Sequence, residues 1–249
     1  MTFPLLIQVG PWAVSAHSVL EVAAYAIGFR LYLRQRRVLS DELDSLTRWR
    51  LLAAAALGAL LGARLLAYAA DPQALAGFPW WLRPWMGKTI VGGLLGGTLA
   101  VELLKRRLGL QQRTGDVYAL PLAVGIAVGR LGCFLQGVSD HTAGTPSSLP
   151  WALDQGDGIP RHPAALYEAA ACLLIAGLLW RLQRTRYQRG DLYRAFLLSY
   201  CAVRFALELV KPYPTLAGLT LYQWACLGLL LAWRRDAWRL LDPRGSAHA

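Results

Sequence analysis

The chain has 249 residues, of which 55% are hydrophobic and only 16% are charged. This composition excludes an ordinary soluble domain, because several apolar runs approach the ~20 residues that a helix needs to cross a bilayer. The net charge of +11 would fit nucleic-acid binding, but the basic residues gather at one end of the apolar runs. We therefore predict an all-α polytopic membrane protein that forms one domain, residues 1–249, and binds no nucleic acid.

The apolar runs predict seven transmembrane helices. In chain order these spans cover residues 13–33, 51–70, 87–104, 116–135, 163–182, 191–210 and 219–233. The N-terminal segment lacks the basic residues of a cleaved signal peptide, so the first span is expected to act as the targeting signal. The loop between spans four and five, about residues 136–162, predicts a small head outside the membrane.

The basic residues predict the orientation. Nineteen of the 26 lysines and arginines follow spans one, three, five and seven, within residues 30–50, 105–113, 181–194 and 234–244. The opposite side holds four: Arg83, Lys88, Arg161 and Lys211. Because loops rich in lysine and arginine stay in the cytoplasm, the N-terminus is predicted outside, in the periplasm, and the C-terminus in the cytoplasm.

A reporter fusion tests this orientation. An alkaline phosphatase fused to the C-terminus should be inactive, and a fluorescent protein that matures only in the cytoplasm should be bright there. Fusions within residues 136–162 should give the reverse pattern. An active phosphatase at the C-terminus would show that the span count is wrong by one.

Three arginines belong to neither side, and each lies 13 or 14 residues from the cytoplasmic start of its span: Arg64, Arg130 and Arg204. At about 1.5 Å per residue they reach a similar depth, roughly 20 Å up. Three carboxylates come to a similar height: Glu21, Glu168 and Glu208. A single pair would indicate an ion pair between helices, but charge inside a membrane is rare, and three arginines at one depth favour a functional site. Arginine suits bidentate capture of phosphate or carboxylate.

Span six places four polar residues on one helical face, at spacings of four, four and three: Tyr200, Arg204, Glu208 and Lys211. In a lipid environment this face is expected to line a polar cavity. In span four, Gly129 and Gly132 flank Arg130 and leave room for another helix or a bulky ligand to approach.

The remaining signals are structural. Span three contains the overlapping pairs Gly92/Gly96 and Gly93/Gly97, which are typical of close helix packing. The four cysteines form no CxxC pair and no cluster with histidine along the sequence. Neither a disulfide framework nor a metal site is therefore predicted, and no cofactor is expected.

Together these stretches resemble the prolipoprotein diacylglyceryl transferase family. The resemblance covers nearly the whole chain and rests on the order and spacing of six motifs: Gly62-Ala-Arg64, the glycine-rich start of span three, Gly129-Arg-Leu-Gly-Cys-Phe-Leu-Gln-Gly137, His162-Pro-Ala-Ala-Leu-Tyr-Glu168, Tyr200-x3-Arg204-Phe-x2-Glu208 and Leu219-Thr-Leu-Tyr-Gln223. The seven-span plan of that family agrees with the plan predicted from charge.

The resemblance implies an enzyme of the bacterial inner membrane, with its active site facing the outer leaflet. It implies transfer of the diacylglyceryl group of phosphatidylglycerol to the lipobox cysteine of a preprolipoprotein signal peptide, with release of glycerol phosphate. Arg130 would bind the lipid phosphate, together with Arg64, Gly129, Gly132 and Gly137. Arg204 would be essential for activity, and we add Glu208, Tyr200 and Glu21 as catalytic candidates.

The chain departs from the family pattern at four positions: Val91 stands where a catalytic histidine is usual, Cys133 replaces an asparagine, Val138 an acidic residue and Val19 a tyrosine. The remaining candidates for the general base are Glu21, His17 and His162. Two alternatives follow. The chain could be a non-catalytic protein that binds or moves phospholipid, or a family enzyme with a different acceptor.

Overall fold

The computed structural model describes residues 3–73, 76–185 and 187–241. A helix lies at each of the seven predicted spans, and two short helices are added. In chain order the helices are α1 Ala16–Val38, α2 Ser45–Ala70, α3 Arg83–Met86, α4 Ile90–Arg107, α5 Asp116–Gln136, α6 Ala164–Leu182, α7 Asp191–Leu207, α8 Leu221–Ala232 and α9 Arg234–Leu241. Short 3-10 turns, Gly137–Asp140 and Glu208–Val210, extend α5 and α7.

Three helical segments of the described chain are long and apolar enough to cross a membrane: Ser45–Ala70, Asp116–Asp140 and Ala164–Leu182. A shorter apolar helix covers Leu221–Ala232. These apolar helices agree with the predicted class, a mostly helical membrane protein. The full set of seven crossings and their orientation stay predictions.

Short antiparallel hairpins supplement the helices. The pairs are β1 Leu6–Val9 with β2 Trp12–Ser15, β3 Leu153–Asp154 with β4 Pro160–Arg161, and β5 Thr215–Leu216 with β6 Leu219–Thr220. The predicted start of span one at residue 13 was therefore wrong, because β2 runs to Ser15. The Ser15 hydroxyl accepts a hydrogen bond from the His17 backbone N–H, so the first helix starts at Ala16 with a favourable cap.

Contacts between residues divide the chain into two compact units. The first contains Met1–Ser40, Thr114–Pro212 and Trp233–Ala249, and the second contains Asp41–Arg113 and Tyr213–Ala232. In the first unit α5 packs against α1, α6 and α7. Its buried face carries the small residues Ala119, Ala123 and Ala127 at helical spacing, and the same face continues to Arg130. This packing sets Arg130 among neighbouring helices.

In the second unit α2 and α4 pack with their backbones in contact. A side chain on Gly92 would overlap the backbone of Gly62, and one on Gly96 would overlap that of Gly58. The prediction of close packing at the Gly92/Gly96 pair is therefore confirmed. Apolar side chains gain little from leaving lipid, so such contacts depend on small residues.

Gly92→Ala should destabilise the second unit, whereas the neighbouring Gly93→Ala should not. A methyl group at Gly93 would find its nearest atom, the Ala59 carbonyl oxygen, at an ordinary 3.7 Å. Overpacking costs about 1–3 kcal/mol, and the added methyl at Gly92 must push the helices apart. Thermal unfolding of both variants in the same detergent measures the difference, and equal midpoints would contradict the assigned contact.

Candidate functional site

Glu168 is the centre of a buried ionic cluster in the first unit. Its side chain on α6 is 0% exposed. Its Oε1 accepts hydrogen bonds from Arg130 Nη2 at 3.0 Å and from the Tyr200 hydroxyl at 2.7 Å. Its Oε2 lies 3.0 Å from Arg130 Nε and 3.4 Å from Arg204 Nη1. One carboxylate thus connects α5, α6 and α7.

Two further charged groups complete the cluster, which we define as Arg130, Glu168, Tyr200, Arg204, Glu208 and Lys211. Arg204 forms an ion pair with Glu208, one helical turn further along the chain. The Lys211 Nζ atom lies 3.8 Å from Glu168 Oε2. All of these side chains are buried. The cluster therefore contains three basic groups and only two carboxylates, and all of them are buried.

The sequence explains this arrangement locally. Tyr200 and Arg204 share one face of α7, because residues four apart lie on the same side of a helix. The same register carries Glu208 and Lys211 past the end of α7. On α6, Ala164, Ala165 and Ala169 are buried on the face that also carries Glu168. Small side chains there let the neighbouring helices approach the carboxylate.

Two members of the cluster, Glu168 and Lys211, were not among the site residues predicted from the sequence. Glu168 was placed in the charged layer and Lys211 on the polar face of span six, but neither was chosen as a site residue. The signal for Lys211 was its spacing of three from Glu208. For Glu168 the signals were its depth and its place at the end of the His162–Glu168 motif, neither of which identifies a partner.

The three expected glycines have different surroundings. Beside Gly129, the position of a side chain is open: apart from its neighbours along α5, no atom of the described residues lies within 4 Å. Gly132 packs against α1, where an added Cβ would lie 3.2 Å from the His17 carbonyl oxygen. Gly137 has a φ of +71°, and a side chain there would overlap the Gln155 carbonyl. Of these three glycines, only Gly129, which precedes Arg130 in the chain, has open space beside it.

Arg64 belongs to the second unit. Its Nη1 donates hydrogen bonds to the backbone carbonyls of Trp85 and Gly87, the latter at 3.2 Å. These bonds tie α2 to the segment before α4. Its expected convergence with Arg130 and Arg204 stays a prediction.

Val91 also lies in the second unit, on α4, and is 1% exposed. The position where the family usually has a histidine is therefore filled by a buried apolar side chain. A valine has no atom that can accept or donate a proton.

The candidate bases lie in two places in the first unit. His17 Nε2 is 3.7 Å from Glu21 Oε2, one turn along α1. His162, in the loop before α6, has its Nδ1 3.4 Å from the Tyr167 hydroxyl. Of the two, His17 has a carboxylate neighbour.

The loop between α5 and α6 is ordered by its own polar contacts. The Asp154 carboxylate accepts hydrogen bonds from the backbone N–H groups of Gly156, Asp157 and Gly158. The Arg161 guanidinium donates to Asp157 and lowers the pKa of that carboxyl. The loop expected at residues 136–162 is thus a small structure built on β3 and β4.

Comparison with known proteins gives a consistent result. A sequence model of the family described as prolipoprotein diacylglyceryl transferase matches residues 4–234. A protein from Bordetella parapertussis is 32% identical over 92% of each chain. One from Nitratidesulfovibrio vulgaris is 30% identical over 98% of this chain and 95% of its own length. One from Chromohalobacter salexigens is 33% identical over 92% and 86%.

Each of these relatives is named phosphatidylglycerol–prolipoprotein diacylglyceryl transferase. The matched region includes α1 to α8 and therefore every member of the buried ionic cluster. The resemblance first drawn from six short motifs is thus confirmed by similarity along most of the chain. The chain belongs to the prolipoprotein diacylglyceryl transferase family.

Proposed function

We propose that this chain transfers the diacylglyceryl group of phosphatidylglycerol to the lipobox cysteine of a prolipoprotein and releases glycerol phosphate. The observation that carries the proposal is the excess of basic groups in the cluster around Glu168. The guanidinium and ammonium groups of the cluster are strong hydrogen-bond donors, and a phosphate group offers the anionic acceptor oxygens that such donors bind.

Arg130 is the proposed phosphate ligand. Its Nε and Nη2 face Glu168, which holds the guanidinium plane in place. Its Nη1 faces the Cys133 Sγ atom at 3.7 Å, a weak interaction that a phosphate oxygen would improve on. The open space beside Gly129 supports an approach of the lipid from this side.

Arg204 is proposed to stabilise the leaving group. When the thiol attacks the glyceryl carbon, the carbon–oxygen bond to the phosphate breaks and the departing phosphate gains charge. Glu168 and Glu208 hold the Arg204 guanidinium from two sides, so its donors are oriented before the reaction. Donors that are fixed in advance are worth most where charge develops.

The acceptor thiol must lose its proton, because the thiolate is the nucleophile. The proposed acceptors of that proton are His17, supported by Glu21, and His162. A general base contributes about 10²–10⁴-fold to a rate. We further propose that the chain crosses the bacterial inner membrane seven times as one domain, with the loop at residues 136–162 on the periplasmic side and the site open to the outer leaflet.

One observation favours a second candidate. Val91 is buried and apolar where the family usually has its histidine. Phosphate binding by the cluster does not require a base, so the chain would still hold phosphatidylglycerol without transferring its lipid. A different acceptor is a third reading.

A reconstituted assay separates the first two readings. The purified chain in phosphatidylglycerol vesicles is mixed with a lipobox peptide, and the thioether product is measured by mass spectrometry. Product formation that stops when the peptide cysteine is replaced by serine supports the transferase. Phosphatidylglycerol binding without any product, under conditions where a relative with the histidine is active, would favour the non-catalytic reading.

A further inference from the structure

Three polar side chains of the first unit come together beside the ionic cluster. His17 is in the first turn of α1, Cys133 is near the end of α5, and Asp140 ends the 3-10 turn that follows. One nitrogen, sulfur or oxygen atom from each lies within 4.8 Å of the other two. We propose that His17, Cys133 and Asp140 bind a divalent metal ion such as zinc. We call these three residues the metal triad.

The donor atoms suit zinc. Zinc is bound in proteins by imidazole nitrogen, cysteine thiolate and carboxylate oxygen, and the triad offers one of each. A thiolate and a carboxylate together carry two negative charges, which match a divalent cation. Soft thiolate with imidazole favours zinc or cobalt over magnesium and calcium, which prefer oxygen ligands.

The histidine is oriented as a metal ligand would be. Its Nδ1 is buried without a hydrogen-bond partner among the described residues, 4.0 Å from Asp140 Oδ1. Its opposite nitrogen, Nε2, faces the Glu21 carboxylate at 3.7 Å. Metal-bound histidines usually donate their other N–H to a carboxylate, which fixes the tautomer. Glu21 would therefore direct the Nδ1 lone pair towards the ion. With the ion bound, both ring nitrogens of His17 are engaged, and His162 is the proposed base of the two histidines.

Asp140 is held in the same way. Its Oδ2 accepts a hydrogen bond from the Thr142 hydroxyl at 2.9 Å, so that Oδ1 remains directed at His17. Second contacts of this kind orient carboxylate ligands in metal sites. Both the histidine and the carboxylate thus have a supporting partner on the side away from the triad.

The backbone brings the ligands close. Gly132 is the residue before Cys133 on α5. Because it has no side chain, α1 packs closely against α5 at this point and brings His17 near Cys133. Tetrahedral zinc holds its ligand atoms roughly 3.5 Å apart, so rotations that move each atom by about 1 Å close the site. Three protein ligands leave a fourth position for water or another ligand.

Metal binding is measured on the purified full-length chain in detergent, stripped with a chelator and then titrated with zinc or cobalt alone. We expect one zinc ion per chain after desalting. Cobalt should give the near-ultraviolet absorption of a sulfur–cobalt bond. His17→Ala, Cys133→Ser and Asp140→Asn should each weaken zinc binding by more than 10-fold, and Glu21→Gln by about 10–100-fold.

Matched controls use groups outside the triad. Cys172→Ala removes a thiol on α6, and His141→Ala removes the histidine next to Asp140. Both should keep the wild-type stoichiometry and the cobalt spectrum. Thermal unfolding identifies any variant that fails to fold. If Cys133→Ser does not fold, Asp140→Asn is used as the test variant, because Asp140 lies outside the helices that form the core.

A wild-type chain that binds no zinc, or triad variants that bind it as tightly as the controls do, would overturn the proposal. The measurement does not depend on diacylglyceryl transfer. A chain that transfers lipid but binds no metal would refute the triad alone, and a chain that binds zinc but transfers nothing would refute only the proposed function.

Discussion

Arg130→Ala should reduce the rate of diacylglyceryl transfer by at least about 10²-fold, the loss typical of removing one charge-stabilising donor from an active site. The Arg130 guanidinium has a donor, Nη1, that faces the Cys133 sulfur and not a carboxylate. Its removal takes away the proposed contact with the lipid phosphate. It also leaves Glu168 with fewer cations around it.

Arg130→Lys should fall between alanine and wild type. Lysine keeps the positive charge, but its ammonium is a point charge that cannot contact two phosphate oxygens and Glu168 in one plane. We expect measurable phosphatidylglycerol binding with most of the transfer lost. The assay is transfer to a lipobox peptide, with binding followed separately.

Arg184→Ala is the matched control. Arg184 lies just after α6, over the ring of Trp180, and is not part of the cluster. Its loss should leave the transfer rate within a factor of about two. Should Arg130→Ala transfer as fast as Arg184→Ala while folding equally well, Arg130 has no role in holding the phosphate.

Glu168→Gln should have the largest effect on stability. The change keeps the shape of the side chain but removes the negative charge that Arg130, Arg204 and Lys211 share. Breaking a buried ion pair by removing one partner costs roughly 3–5 kcal/mol, because the remaining charge is left without compensation. For a chain of this length the unfolding midpoint should fall by roughly 10 °C.

Glu102→Gln provides the comparison. Glu102 pairs with Lys105 at 2.8 Å, but its side chain is 52% exposed. Exposed pairs contribute about 0–1 kcal/mol, so its midpoint should move little. Both variants are measured by thermal unfolding in one detergent. A Glu168→Gln midpoint equal to that of Glu102→Gln would mean that the cluster does not depend on this carboxylate.

The rate of diacylglyceryl transfer should also fall more in Glu168→Gln than in Glu102→Gln. Without the Glu168 charge, Arg130 and Arg204 lose the group that fixes their planes, and the hydroxyl of Tyr200 loses an ionic acceptor. We therefore expect transfer by Glu168→Gln to fall even at temperatures where the variant remains folded. Normal transfer by the folded variant would limit the role of Glu168 to stability.

The sequence by itself determined where the helices lie. Apolar runs of about 20 residues leave few alternatives, because every backbone group in lipid must find its partner within the helix. A helix is present at each of the seven predicted runs. The Gly92/Gly96 pair likewise predicted close packing, since only small residues let two backbones touch.

The order of motifs along the chain also determined the family. Arg130, Tyr200, Arg204 and Glu208 were chosen as site residues from the sequence, and the structure brings all four into one cluster. For Tyr200, Arg204 and Glu208 the reason is local. Residues four apart on α7 must share a face, whatever the rest of the fold does.

The partners across helices were decided only by the tertiary structure. Position along a span gives a residue its depth, but rotation of the helix about its axis decides which neighbour it meets. Depth placed Arg64 and Glu168 in one layer, yet Glu168 bridges three elements of the first unit while Arg64 bonds backbone carbonyls in the second.

The metal triad shows the same limit most clearly. His17 and Cys133 are more than a hundred residues apart in the sequence, and no spacing rule connects them. They meet because Gly132 lets α1 pack closely against α5 and because the chain turns at Gly137 to return Asp140. Helix packing and a turn with positive φ, both properties of the folded chain, bring these donor atoms together.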